Sequence, residues 1–403
     1  MVHQGQGRAP HRTAIRDRAS SPQGRAGRDP LMSRPTLALA DRRTQRARVV
    51  GALHEQRKSR SDLVEQFGVS SSLITRLVRG LIDDGILREV GAQAQAIGRP
   101  PVRLEVVRDH GALLAVSCTS EGLRARCVNL HGGIISETSA DPVGGVVSPE
   151  SIVDTIAGLI ERTPRVLGIG VAVPGVVDAD TGDVSAAPDL GWTAEVPLRS
   201  LLRERFGVVV TIDNDVNLMM ASERRSLGAR AGRNAVYLYL GARGIGAGII
   251  AGGRLIEGDH GAAGEIGLSP LSTNDRTDFE DTTSTRAVAA RLEAAGHEVA
   301  DPAIDRLLAL ADSGDDAARR IRADVIAAFS HAIAVITALL DPHVILLGGH
   351  ARAFREVEHR EMLDPLRGEL PFLPEVRSAQ PKPDAVLDSA LNRCWQQLLA
   401  GGL

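Results

Sequence analysis

Three groups of residues in this chain have types and spacing that could do chemistry. They are an Asn214-Asp215 pair, Glu265 between two glycines, and a stripe of hydroxyls and guanidiniums from Ser71 to Arg79. The first two lie in one stretch, 212–268. It opens I-D-N-D-V-N and continues as a helix-like run to Gly228. It then reads Y-L-Y-L-G-A-R-G-I-G-A-G-I-I-A-G-G-R-L and closes E-G-D-H-G-A-A-G-E-I-G-L. Carboxylates and an amide on short glycine-flanked turns suit a polyhydroxylated ligand. They accept from and donate to hydroxyls, and glycine lets backbone approach closely.

The stripe belongs to a segment, 44–107, that reads as a winged helix-turn-helix. Thr44 is placed to cap a first helix whose apolar face is Val49, Val50 and Leu53. Ser59 and Asp62 form a capping-box pattern for a short second helix with Leu63, Val64 and Phe67 inward. Gly68-Val69 is the tight turn, and Ser70 caps a third helix, 71–84. Ile74, Leu77, Val78 and Leu81 form its apolar side. Ser71, Ser72, Thr75, Arg76 and Arg79 form the other, with hydroxyls near the N-terminus and long cations beyond. That face suits a DNA major groove. Residues 91–98 read as a wing tip, and Arg99 before Pro100-Pro101 suits a minor-groove or phosphate contact. The plainer alternative is a helical packing module whose arginines only solvate a surface.

Beyond a linker at 107–111, strands alternate with helices. Residues 112–117 and 123–130 pair as a hairpin around a turn at 119–122. Residues 148–161 form a helix, and 166–173 a buried strand that ends in Pro174-Gly175. A helix at 198–206 and a buried strand at 208–212 follow. This pattern predicts an α/β fold with a sheet covered on both faces and a ligand cleft at the strand ends, where Pro174-Gly175 and Asn214-Asp215 meet. A strand at 236–240, a long apolar helix at 317–340, a strand at 344–347 and a closing helix at 386–399 complete it.

Bulk composition bounds the partners. The 403 residues exceed one ordinary domain, and the net charge of −3 excludes a globally basic protein, so nucleic-acid contact must be a local patch. Three widely spaced cysteines (Cys118, Cys127 and Cys394) give neither a disulfide framework nor a C-x-x-C metal pattern and suit a reducing cytoplasm. Residues 1–40, rich in Arg, Gly, Pro and Ser, have too little apolar content to fold and read as a disordered basic extension. No apolar run is expected to reach the roughly 18 residues that span a membrane.

The chain resembles the ROK family of sugar-responsive repressors and sugar kinases, and its repressor branch most of all. The matching motifs are G-I-G-V-A-V-P-G-V-V-D (168–178), N-D-V-N (214–217), G-I-G-A-G-I-I-A-G-G (244–253), G-A-A-G-E-I-G (261–267) and D-P-H-V-I-L-L-G-G (341–349). Beyond the disordered extension read from composition at 1–40, the resemblance, which covers about residues 44–400, implies a winged helix-turn-helix at 41–108 and a two-lobed actin-like, ribonuclease H-like ROK domain at 109–403. It implies that Asp215 is the position of the kinase base, and that Asn214, Glu265 and, less securely placed in its motif, Glu280 contact a sugar; the plainer alternative for Asp215 is a cap on the helix that follows, and a cap and a ligand contact can coexist.

Two departures from the family pattern shape the functional expectation. Family kinases hold Mg²⁺-nucleotide phosphates with an Asp and a Gly-Gly-Thr turn after the first strand, where this chain has Ser117-Cys118-Thr119-Ser120, and Arg243 stands where the second phosphate turn has a Thr. Phosphoryl transfer depends on such positioning, so no kinase activity is expected. Family members also carry a His after G-E-I-G and a cysteine cluster after it. Here Leu268 takes the His place and 272–281 has neither Cys nor His, so no zinc and no other cofactor is expected. The expectation is a cytoplasmic regulator, a homodimer or dimer of dimers. It would bind double-stranded operator DNA through Ser71, Ser72, Thr75, Arg76, Arg79 and Arg99, and a small sugar-like effector through Asn214, Asp215, Glu265 and Glu280. A ROK sugar kinase carrying a DNA-binding appendage is the alternative.

Overall fold

The computed structural model describes residues 37, 40–91, 102–271, 278–299, 302–380 and 382–401. The first unit holds α1 (Arg42–Glu55), β1 (Lys58–Ser59), α2 (Arg60–Phe67), α3 (Ser71–Asp83), β2 (Leu87–Val90) and β3 (Arg103–Val106), its strands paired in the order β1-β3-β2. Each helix start has a local cause. Thr44 does not cap α1. Asp41 does, because its carboxylate can accept from both the Thr44 amide (2.9 Å) and the Thr44 hydroxyl (2.8 Å). Ser59 and Asp62 close a reciprocal capping box on α2, as their spacing predicts. Gly68 ends α2 at φ +63°, a left-handed conformation that glycine adopts without strain, and this turns the chain into α3, capped by Ser70.

On α3, Ile74, Leu77, Val78 and Leu81 are buried and contribute about 1.5–3 kcal/mol each. Ser71, Ser72, Thr75, Arg76 and Arg79 are all exposed. Leu37, inside the stretch expected to be disordered, is fully buried in the same core, and its carbonyl accepts from Gln45 Nε2 at 3.1 Å. The ordered unit therefore begins before residue 40. Residues 1–36 and 38–39, residues 92–98 of the wing tip, and Arg99 lie outside the described residues.

Two five-stranded sheets follow, each with one topology. The first comprises β4 (Ala112–Thr119), β5 (Gly122–Asn129), β6 (Ile134–Ala140), β7 (Val166–Val173) and, after a short β8 (Val176–Val177) and β9 (Val184–Ala186) ribbon, β10 (Val209–Asn214). Its order is β10-β7-β4-β5-β6, with β4, β5 and β6 antiparallel and β7 and β10 parallel to β4. Helices α4 (Pro149–Ile160) and α5 (Leu198–Phe206) belong to this lobe. After α6 (Asp215–Arg224) and α7 (Gly228–Ala231), the second sheet runs β11 (Ala235–Leu240), β12 (Ile245–Ala251), β13 (Arg254–Leu255), β14 (Val344–Gly349) and β15 (Glu375–Ser378), in the order β13-β12-β11-β14-β15. Strand for strand this repeats the first. Helices α8 (Phe279–Thr283), α9 (Thr285–Ala294), α10 (Ala303–Asp312), α11 (Asp316–Leu340) and α12 (Glu356–Leu363) are connected within the second lobe. Phe279, Val325, Phe329 and Ile333 lie fully buried in its core.

Helix α11 corrects the expectation about apolar runs. By length and composition it could cross a membrane. Its inward face fills the second lobe's core, and that burial accounts for its apolar character.

The last helix, α13 (Ala385–Gly401), lies between the N-terminal unit and the first sheet. Leu387, Leu391, Trp395 and Leu398 share one core with Val49, Val50 and Leu53 of α1 and with Leu113, Ala115 and Val128 of the sheet. The His54 and Trp395 rings lie 4.6 Å apart.

Candidate functional site

The chain reverses from β10 into α6 at the C-terminal end of the first sheet, where parallel strands present their ends to a crevice. Asn214 makes this turn. Its side-chain carbonyl accepts from the Asn217 amide at 3.0 Å, capping α6, and its amide donates to the Gly175 carbonyl at 3.0 Å. The two strand ends expected to share a cleft are thus tied together. Asn214, not Asp215, is therefore the N-cap of α6. Asp215 is the first helical residue, 8% exposed, with Oδ1 accepting from the Val216 amide at 2.8 Å. Burial pushes its carboxyl up to about 7, and the negative charges of Asp189 and Glu265 add to the rise. A buried carboxyl that titrates near neutrality can take a proton from a ligand hydroxyl or donate one to it.

Glu265 reaches the cleft because Gly264 does. At φ +99° the Gly264 carbonyl accepts from the Ala247 amide at 2.8 Å, and a Cβ there would collide with the Ala247 carbonyl. Glu265 itself is solvent-exposed at the mouth, and desolvation by the surrounding walls still raises its carboxyl. Glu280, at the start of α8, points elsewhere. Its Oε2 accepts from the Ile245 amide at 3.3 Å and faces Gly267, so it braces the glycine turn between β11 and β12. Burial first, then the negative charges of Asp278, Asp189 and Asp281, raise it.

Asp189 is the residue that sequence reasoning missed. It sits on a short 3-10 turn, Pro188–Leu190, and is raised by burial and partly relieved by Arg243. Its charge also acts on Asp215, Glu280 and Tyr239. Its signal was the polar residue inside P-D-L-G-W, where Leu190 and Trp192 are core residues and the Asp is not. The charges of Asp189 and Glu265 therefore converge on Asp215 in one cleft, with Arg243 as the exposed cation beside Asp189. Tyr239, raised to about 12 by burial and by the Asp215 charge, walls it from the second sheet.

On the opposite side, Cys118 ends β4 fully buried, and burial and the Asp215 charge raise its thiol. The strand end thus presents a neutral thiol, with no carboxylate to hold Mg²⁺, between Ser117 and Thr119. Thr119 Oγ1 is spent within the hairpin turn, on the Gly122 carbonyl. Of residues 272–281, the segment expected to hold no zinc ligands, 272–277 lie outside the described residues.

Comparison with known proteins identifies the fold and the family. A xylose repressor of Caldicellulosiruptor bescii is 27% identical over 325 residues, 74% of this chain and 81% of that protein. A glucokinase of Halalkalibacterium halodurans is 27% identical over 51% of this chain and 69% of its own. Among solved structures, a ROK family transcriptional regulator, described as a homolog of E. coli MLC, superposes with TM-score 0.72 at 22% identity. It covers 90% of this chain and 99% of its own, which establishes the shared fold. The family profile described as ROK family matches residues 126–369, more than half of the sequence, from within β5 to beyond α12. This chain belongs to the ROK family.

Proposed function

We propose that this protein is a sugar-responsive transcriptional repressor without kinase activity. The N-terminal unit, 41–108, reads as a winged helix-turn-helix. Its α3 would enter the major groove with Ser71, Ser72, Thr75, Arg76 and Arg79, and Arg99 would add a wing contact. The ROK portion, 109–403, takes a small sugar or sugar derivative at Asn214, Asp215 and Glu265, with Asp189 joining them and Glu280 holding the adjacent turn. The working form is a cytoplasmic homodimer, or dimer of dimers, in which each subunit meets one half-site of double-stranded DNA. The relatives named xylose repressor support this reading.

The observation that carries it is the position of α13. One face of this helix packs on α1 through Trp395 against His54, and Leu399 lies against Gly51. On the same helix, Arg393 pairs with Asp213 (3.3 Å), the residue before Asn214, and with Glu257 (2.8 Å), in the loop that leads to Glu265. A ligand that moves either partner pulls on the helix that seats the DNA-reading unit. Such coupling requires that the ligand bind the two arrangements with different affinity.

The competing reading is a sugar kinase, favoured by Asp215, whose near-neutral carboxyl suits a general base. It is opposed by the Ser117-Cys118-Thr119-Ser120 strand end and by Arg243 in the second turn. Two measurements on the full-length protein decide between them. Selection of duplexes from a random DNA library should enrich one near-palindromic sequence, and incubation with labelled ATP–Mg²⁺ and a hexose and pentose panel should give no sugar phosphate. Robust turnover, or no enrichment, would overturn the proposal.

A further inference from the structure

Strand β10 is the free edge of the first sheet, and a cavity of about 480 Å³ runs along it. Helix α5, the end of α13 and the 177–180 loop form its walls. Asp215, Glu265, Glu280 and Asp189 do not line it, whereas Asn214 does, so this cavity adjoins the cleft described above at the end of β10 but presents different carboxyls and cations. Two of its features demand a partner. Thr211 is 6% exposed, and its Oγ1 hydrogen-bonds to no described group. A buried hydroxyl without a partner is costly and persists where it serves a ligand. Arg199 and Arg203 stand one helical turn apart on α5, so they share a face, and neither joins an ion pair among the described residues. Arg199 is held in place by donating to the Asp180 carbonyl (2.6 Å) and the Ala179 carbonyl (3.2 Å). Those bonds orient the guanidinium without neutralising it.

Three acidic residues line the same cavity, and of these Asp180 joins no ion pair among the described residues, with Arg199 or with Arg203. Arg393 already pairs with Asp213 and Glu257. Burial pushes the Asp213 carboxyl up to about 7, so near neutrality it is partly protonated and can donate to an oxygen. The cavity therefore offers two guanidiniums at one end and, deeper, a hydroxyl and a carboxyl.

We propose that this cavity is a second ligand site that takes a small phosphorylated polyol, with the phosphate on Arg199 and Arg203 and a ligand hydroxyl on Thr211. Guanidinium–phosphate pairs are charge-assisted and directional, and a polyol matches the buried polar pair Thr211 and Asp213. The site borders the Arg393–Asp213 pair, so its occupant would touch the link between α13 and β10.

Isothermal titration of the full-length protein with glucose 6-phosphate, inorganic phosphate and glucose tests this. We expect glucose 6-phosphate to bind once per chain and more tightly than inorganic phosphate. Arg203→Glu, at an exposed position, should weaken it by about tenfold or more, and Asp215→Asn should leave it unchanged. Thr211→Val, nearly isosteric, should weaken it as well, and should raise the Tm of the ligand-free protein by removing an unpaired buried hydroxyl. Binding that survives Arg203→Glu but disappears in Asp215→Asn would place the ligand in the other cleft and overturn the proposal. So would the absence of binding up to about 10 mM. Inorganic phosphate that binds as tightly as the sugar phosphate would refute the polyol contact.

Discussion

Replacing Asp215 with Asn should stabilise the protein in a pH-dependent way, and the size follows from its burial. In the unfolded chain this carboxyl ionises near 3.8, whereas in the folded protein it does so at about 7. Between those values the folded state binds the extra proton, so stability falls as pH rises through that window and stays low above it. At about 1.4 kcal/mol per pH unit, the full difference approaches about 4 kcal/mol above pH 7. Asn keeps the acceptor that the Val216 amide uses and has nothing to ionise. Urea denaturation of wild type and Asp215→Asn should therefore coincide near pH 4, diverge up to about pH 7 and stay apart by a constant amount at pH 8, with the variant more stable. Asp213 shares the same window and remains in both proteins, so a residual slope is expected in the variant. A stability difference independent of pH, or a less stable variant at pH 8, would refute the burial argument.

Four further outcomes follow. Trp395→Ala removes the ring shared by α1 and α13 and should cost about 3–5 kcal/mol, read as a lower urea midpoint. Arg393→Ala cuts the pairs to Asp213 and Glu257. The variant should bind operator DNA with wild-type affinity in an anisotropy titration, yet lose its response to sugar. Arg76→Ala and Arg79→Ala should each weaken operator binding by about 1–3 kcal/mol if the side chain reads a base edge. If it holds a phosphate, each should instead lower the salt slope by about one. Gly264→Ala forces a side chain into a left-handed conformation and onto the Ala247 carbonyl, so sugar binding by calorimetry should vanish.

Much of this architecture was legible because local chemistry and tertiary context agree. The capping box at Ser59, the glycine turn at Gly68 and the apolar stripe of α3 follow from residue types alone. So does α5, whose observed bounds match its periodicity. Strand β12 read only as a glycine string, because Gly246 and Gly248 lower its strand propensity. The reason for Gly248 is distant: a Cβ there would meet the backbone carbonyl of Val216 and the side chain of Met220 on α6. Edge strand β6 gave no alternation, since nearly all of it is exposed.

The candidate site divides along the same line. Asn214, Asp215 and Glu265 were visible because each ends a strand or a glycine turn. Asp189 was not, since only the folded chain brings Pro188–Leu190 to within electrostatic reach of Asp215. Glu280 was visible by motif, but its role changed with the fold, which spends its carboxylate on the Ile245 amide.

The most direct test of the account is the operator affinity of the full-length protein, measured by fluorescence anisotropy on its selected duplex, with and without saturating pentose or hexose. The account predicts that at least one sugar weakens binding by about 5- to 150-fold, the ordinary range of allosteric coupling, and that Asp215→Asn abolishes the effect. Operator affinity unchanged by every sugar that binds the protein would contradict it.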